Sequence, residues 1–248
     1  HRLFRRQRQM CIRDRRFRDE PFTPVDLLEF KTFSSMQIAF FWLAMQYGMS
    51  MLFVGGTASG KTTSLNACSL FLPWQHKIVS IEETRELNLP HPNWIPGCTR
   101  QGFGGESAGS GVKAAGEVDM YDLLRAALRE RPEYIIVGEI RGAEAYVLFQ
   151  AMATGHTTYS TFHADSIQSL VHRLENKPIE IPRVLIPALD GISIQIQTRV
   201  GGKRVRRNKG IIEIIGIDPH SHELLTNEAF RWDNTCLLYT SPSPRDRI

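Results

Sequence analysis

The chain carries only four cysteines, Cys11, Cys68, Cys98 and Cys236, and no two of them form a C-x-x-C pair. That excludes a zinc ribbon or a disulfide framework as the device that organises the fold. Long apolar runs are missing too: the longest, Ile38 to Met45, falls far short of the ~20 residues that span a bilayer. No internal repeat and no secretory signal pattern is visible. These absences lead to the expectation of a cytoplasmic globular enzyme with no direct membrane insertion.

An excess of positive charge is the next thing lacking, despite a formal net charge of +4. Residues 1–15 (HRLFRRQRQMCIRDR) and residues 235–248 (TCLLYTSPSPRDRI) show no apolar periodicity. Both read as non-native tails of the kind produced by translated sequencing-adaptor read-through, and both are set aside. The remainder, 16–234, holds 22 basic and 24 acidic residues, so its formal charge is −2. The basic composition therefore gives no ground for nucleic acid or an acidic membrane surface as partner. About 220 residues suffice for one sizeable core.

What is present begins with Gly55-Gly56-Thr57-Ala58-Ser59-Gly60-Lys61-Thr62, a complete G-x-x-x-x-G-K-[ST] phosphate loop. It follows the apolar run Met51 to Val54 and leads into a helical pattern from Thr63, the strand, loop and helix context that the motif needs. Gly55 and Gly60 let the backbone turn so that successive N–H groups face a β-phosphate, aided by the positive end of the helix dipole. Lys61 reaches toward the β- and γ-phosphates, and the Thr62 hydroxyl is the expected Mg²⁺ ligand. Residues 55–63 are thus the expected binding residues for ATP.

Along the chain, Thr23-Pro24 predicts an N-cap and a proline-led helix. Ser34 or Ser35 caps an apolar helix through Tyr47 that should be buried rather than amphipathic, closed by Gly48. Lys77 to Ile81 reads as a strand ending in Glu82-Glu83-Thr84-Arg85-Glu86, after which Pro90, Pro92 and Pro96 predict an extended loop. Gly102 to Gly116 is glycine-rich and reads as a mobile loop. A helix capped by Asp119, the apolar strand Tyr134 to Val137, a helix over 142–154, a strand over Thr157 to Thr161 and a helix from Asp165 or Ser166 follow. A helix to Leu189 and strands near 192–200, 204–218 and 224–230 complete the chain, with a turn at Asp218-Pro219-His220-Ser221. Alternating strands and helices followed by antiparallel strands predict an α/β core with a mainly parallel sheet and a C-terminal antiparallel extension.

Glu139, after the strand Tyr134 to Val137 and Gly138, has the place of a Walker B acid that acts on the metal shell or on the attacking water. In many phosphate-loop enzymes an aspartate precedes that acid, where this chain has Gly138. Four motifs now stand in order: the phosphate loop, Ile81 to Glu86, Val137-Gly138-Glu139-Ile140-Arg141, and Ala153-Thr154-Gly155-His156 through Ser160-Thr161-Phe162-His163-Ala164. Together they resemble the Walker A, Asp box, Walker B and His box of the secretion ATPase superfamily, which drives type II and type IV secretion, type IV pili and the archaeal flagellum. The resemblance covers about Arg16 to Asp233 and is nearest to the archaeal branch.

That resemblance implies a RecA-like ATPase core using ATP and Mg²⁺, catalytic roles for Glu82 and Glu83 in the Asp box, and nucleotide sensing by His163 with His156 beside it in the motif. Glu83 departs from the usual aspartate. On chemistry alone, either histidine could equally be a packed or surface residue. Arg141 reads as an ion-pair partner or a nucleotide contact. The resemblance further implies two-domain protomers in homo-hexameric rings and an integral-membrane platform protein as partner, so that the chain sits peripherally at the inner face of the membrane. An N-terminal domain that supplies arginines to the phosphates is expected to be absent from these 248 residues. Two rivals are a RecA-like nucleic-acid translocase and a nucleotide-gated assembly module without turnover. The basic segment Lys203-Arg204-Val205-Arg206-Arg207 reads as a solvated hairpin or a protein-docking face.

Overall fold

The computed structural model describes residues 21–102 and 116–233, together with the backbone of 239–240. Most of the glycine-rich loop and nearly all of both tails lie outside the described residues.

Helix α1 (Pro24–Glu29) starts where the Thr23 side chain accepts the Asp26 N–H while the Asp26 carboxylate accepts the Thr23 N–H, a capping box with proline at the first turn. Helix α2 (Ser35–Gln46) repeats the device through Ser34 and Gln37, and Gly48 at φ +70° turns the chain into the sheet. Then come β1 (Met51–Gly55), α3 (Lys61–Cys68), β2 (Ile78–Glu82), β3 (Trp94–Cys98), α4 (Met120–Arg129), β4 (Tyr134–Glu139), α5 (Glu144–Ala153), β5 (Thr157–Phe162) and α6 (Ile167–Glu175). Antiparallel strands close the chain: β6 (Gly191–Val200) is followed by β7 (Lys203–Ile217), β8 (Leu224–Trp232) and the two-residue β9 (Tyr239–Thr240).

The strands form one sheet in the order β3-β2-β4-β5-β1-β6-β7-β8-β9. Pairing is parallel from β3 through β6 and antiparallel from β6 to β9. Successive side chains of a strand point to opposite faces, and both faces of the parallel half are covered. Leu52, Val54, Ile81, Ile135 and Val137 pack with α4, α5 and α6, whereas Met51, Phe53, Ile78, Ile136 and Tyr159 pack with α1, α2 and α3. That double burial explains why β1 and β4 read as unbroken apolar runs.

Two expectations are corrected. Helix α2 is buried on one side only: Ile38, Phe41 and Met45 face the sheet, while Met36, Trp42, Leu43 and Tyr47 are exposed. It is an outer-layer helix, and on its exposed side Trp42 stacks on Phe71. The proline-rich segment is not all loop, because β3 runs through Pro96. Proline is tolerated there because β3 is the edge of the sheet, where one row of N–H groups has no partner strand to serve.

A line of buried neutral polar groups ties the layers together beside the phosphate loop. Gln37 Nε2 donates to Asn208 Oδ1 at 3.0 Å, and Asn208 Nδ2 and Gln195 Nε2 both donate to Ser193 Oγ at 2.7 and 3.0 Å. All four residues are fully buried, so each satisfied bond fixes the relative placement of α2, β6 and β7.

Candidate nucleotide site

The parallel strands β1, β2, β4 and β5 all end on the same side of the sheet, and their C-terminal ends deliver the sequence motifs to one cleft. This is where open α/β sheets place ligands. The cleft, of about 460 Å³, is bordered by Thr57, Ala58, Lys61 and Thr62 from the loop after β1, with Glu82 and Glu83 after β2. Glu139 contributes from the end of β4, and Thr161 and His163 from the end of β5.

Local sequence shapes the loop. Gly60 takes φ +99° at the N-cap of α3, and its carbonyl accepts the Ser64 N–H at 2.9 Å. Gly55 is compelled by packing: a Cβ there would lie 2.3 Å from the Gln195 carbonyl oxygen of β6 and 2.5 Å from Ser59 Oγ. The Gly56 carbonyl accepts hydrogen bonds from Ser59 Oγ at 2.8 Å and from Lys61 Nζ at 3.0 Å. The Lys61 ammonium is thereby folded over the loop. Thr63 is exposed and borders a second cleft on the outer side of the same loop.

Glu82 is the most constrained acid of the site, only 2 % exposed. Its Oε1 accepts the backbone N–H groups of Glu86 and Leu87 at 2.9 and 3.0 Å, while Oε2 is buried with no hydrogen-bond partner among the described residues. Burial pushes its carboxyl up to about 7, against the opposing pull of the Leu87 N–H and the Arg85 charge. The aliphatic stem of Glu82 lies against Gly138: a Cβ there would come within 3.2 Å of Glu82 Cγ, a tight contact for any side chain at that position of β4.

Glu139 Oε2 takes two N–H groups of Arg141, through Nε at 3.1 Å and through Nη2, and Arg141 Nη1 lies 3.5 Å from Glu83 Oε2. The hydrogen bond to Glu139 raises the guanidinium pKa further, so Arg141 is a fixed cation linking the two acids. Because this pair is largely exposed, it orients Glu139 more than it stabilises the fold. Thr161 Oγ1 donates to the Gly138 carbonyl at 2.7 Å, bracing the bulge in β4. The His163 carbonyl accepts from Arg173 Nη1 at 2.9 Å, which holds the residue after β5 against α6.

Lys61, Thr62, Glu82, Glu83, Glu139 and His163 therefore share one cleft. His156 does not join them: it precedes β5, at the other end of a six-residue strand, on the order of 20 Å from His163. The shared motif brings the two histidines close in sequence, yet the extended strand between them separates them in space. The basic segment Lys203 to Arg207, expected as a solvated hairpin or a protein-docking face, begins β7 on the β6–β7 hairpin with Lys203, Arg204 and Arg206 exposed. Arg206 Nε donates to the Ala58 carbonyl at 2.9 Å, and Arg207 is buried with Nη1 donating to the Phe30 carbonyl at 3.0 Å. Sequence reasoning did not assign Thr161, Glu86 or Arg206 to the site. Thr161 and Glu86 stood inside recognised motifs, whereas the only signal for Arg206 was a run of basic residues.

No group of three or more His, Cys, Asp or Glu side chains placed to cage a metal occurs among the described residues. The chemistry fits a Mg²⁺ ion held by one or two protein oxygens plus phosphate and water, with the Thr62 hydroxyl and the buried, partnerless Glu82 Oε2 at hand.

The family described as Type II/IV secretion system protein matches residues 9–229. The chain is 46% identical over 210 residues to the uncharacterised protein MJ1287 of Methanocaldococcus jannaschii, covering 85% of this chain and 75% of that protein. It is 34% identical over 183 residues to the type IV secretion system protein PtlH of Bordetella pertussis, covering 68% of this chain and 51% of PtlH. The crystal structure of the VirB11 ATPase of the Brucella suis type IV secretion system superposes with a TM-score of 0.57 at 26% identity, over 83% of this chain and 60% of VirB11. The chain thus spans about half to three quarters of these relatives' own lengths. With its RecA-like sheet, its ordered motifs and this match over most of its length, the chain belongs to the type II/IV secretion ATPase superfamily.

Proposed function

We propose that this chain is the catalytic core of a motor that hydrolyses ATP with Mg²⁺ to drive assembly of a type IV pilus or archaellum-like filament, or protein secretion. The observation that carries this reading is the convergence of Lys61, Thr62, Glu82, Glu83, Glu139 and His163 on one cleft around the phosphate loop. Backbone N–H groups of residues 56–62 and the Lys61 ammonium grip the β- and γ-phosphates. Thr62, Glu82 and Glu139 are the residues that would hold Mg²⁺, which neutralises charge on the phosphate oxygens when bound. Glu139, oriented by Arg141 through Oε2, has Oε1 without a hydrogen bond among the described residues and is the base toward water attacking the γ-phosphate. Glu82 and Glu83 position that water, and His163 sits where loss of the terminal phosphate is felt.

In the working protein, homo-hexameric assembly, a further domain that supplies arginines to the phosphates, and an integral-membrane platform protein complete the machine. No helix of the described residues is long and apolar enough to cross a membrane, which accords with a peripheral placement through that partner. Binding of Mg-ATP and release of phosphate by the wild-type protein, K61A and E139Q test the reading. Wild type binds, K61A loses at least about a hundredfold in affinity, and E139Q keeps affinity while phosphate release drops by about 10² or more. Nucleotide binding that is indifferent to K61A sinks the proposal. Tight binding with no release by any form transfers it to a nucleotide-gated assembly module.

A further inference from the structure

The phosphate loop has two flanks of opposite character. One is the cleft just described, with Glu82, Glu83 and Glu139 at strand ends. The other, a cleft of about 480 Å³, is bordered by Phe22, Gly60, Thr63, Asn66, Asn88 and Arg206, and the two share Thr57, Ala58, Lys61, Thr62 and Glu86. A triphosphate lying along this loop places its metal-bound, reacting end among the carboxylates. Its α-phosphate and nucleoside then fall to the flank that carries the arginine and the aromatic ring.

Arg206 is built onto that flank. It stands on β7 opposite Gln197 of β6, and its side chain reaches back over the loop, with Cδ 3.1 Å from where a Cβ on Gly60 would be. Its Nε bonds the carbonyl of Ala58, a non-glycine residue at φ +59°. A left-handed conformation is unfavourable for such a residue, and the bond from Arg206 offsets part of that cost. The two terminal NH₂ groups of Arg206 make no hydrogen bond and no ion pair among the described residues. A permanent cation held on a phosphate loop with its bidentate edge unused is suited to a phosphate oxygen.

We infer that Arg206 is a phosphate-binding residue supplied by the same chain, holding the α-phosphate of the bound nucleotide while its Nε keeps the loop in its receptive conformation. This rests on the nucleotide reading above and adds a cation distinct from the arginines expected from another domain. Because ATP and ADP share the α-phosphate, the residue contributes to both, unlike an arginine directed at the γ-phosphate.

Calorimetric titration of ATP and ADP into wild type, R206Q, R206K and K203Q tests it. R206Q is expected to weaken ATP and ADP alike by roughly tenfold to a hundredfold, the range for a charge-assisted hydrogen bond. R206K recovers part of that loss, and K203Q, on the same hairpin, stays within twofold of wild type. Equal affinities for wild type and R206Q overturn the inference, as does a loss confined to ATP, or an R206K protein as weak as R206Q. Failure of the wild type to bind either nucleotide overturns the nucleotide reading beneath it and is thereby distinguishable.

Discussion

The two flanks of the phosphate loop are built from different materials. The carboxylate flank collects the ends of parallel strands, each reached by its own short motif, whereas the arginine flank adds Arg206 of β7 and Phe22 before α1, far apart in sequence, to the phosphate loop and the start of α3. On the proposed reading the chemistry follows the same division: the acids act on the reacting end of a triphosphate, and Arg206 holds its α-phosphate. Turnover and affinity are therefore expected to be separable by mutation.

The sharpest form of that comparison is a double dissociation. E139Q is expected to cut phosphate release by about 10² or more while leaving ADP affinity within twofold, and R206Q to do the reverse, with the double variant additive because the two side chains share no contact. Single-turnover phosphate release beside ADP titration reads both. A variant of either residue that shifts both quantities together breaks the distinction.

Gly55, the last residue of β1, opens the phosphate loop that both flanks share. G55A forces a methyl group to within 2.3 Å of the Gln195 carbonyl, a backbone atom that cannot step aside. A stability loss of about 3 kcal/mol or more is expected, at the upper end for overpacking, and urea denaturation measures it. G56A, with nothing within 4 Å of its added Cβ, is the matched control and is expected to be far milder.

On the acidic flank alone, Glu82 makes stability depend on pH. Its carboxyl rises from 4.5 to about 7 on folding, so the folded chain binds the proton more tightly than the unfolded one. The stability it contributes is complete below about 4.5 and is lost as pH rises through 7, amounting to roughly 3 kcal/mol. E82Q in metal-free buffer is therefore expected to match wild type near pH 5 and to exceed it at pH 8, read by chemical denaturation. A gap that fails to widen with pH removes this account.

The smallest effect separates the two histidines. H163A is expected to lower turnover about tenfold or more, as for a group at the reacting phosphate, while H156A stays within twofold in phosphate release by this chain. Equal losses would place both histidines in one functional unit despite their separation along β5.

Much of the carboxylate flank was legible because each of its parts is local. A phosphate loop needs its glycines within eight residues, Glu82 and Glu139 end apolar strands, and His163 follows the Thr- and Ser-rich β5, with the parallel topology fixing the direction of all three. Caps at Thr23, Ser34, Asp119 and Ser166 were readable for the same reason, since each bond spans three residues. Other features resisted. The apolar composition of α2 does not say whether one side or both will be covered, and Pro96 argues against a strand unless the strand is known to be an edge. That Gly138 lies against the stem of Glu82, 56 positions earlier, is visible in no local stretch of sequence.

By itself, then, the sequence determined the alternation of strands and helices, the phosphate loop, the order of the motifs and the family, because these depend on periodicity and on bonds between near neighbours. Tertiary structure alone decided that His156 and His163 lie at opposite ends of a strand, that Arg206 of an otherwise exposed basic run bonds the Ala58 carbonyl while Arg207 is buried, and that Gly138 sits against the side chain of a buried acid. Those outcomes depend on which strands become neighbours in the sheet, a choice made by the whole core and written in no local stretch of the chain.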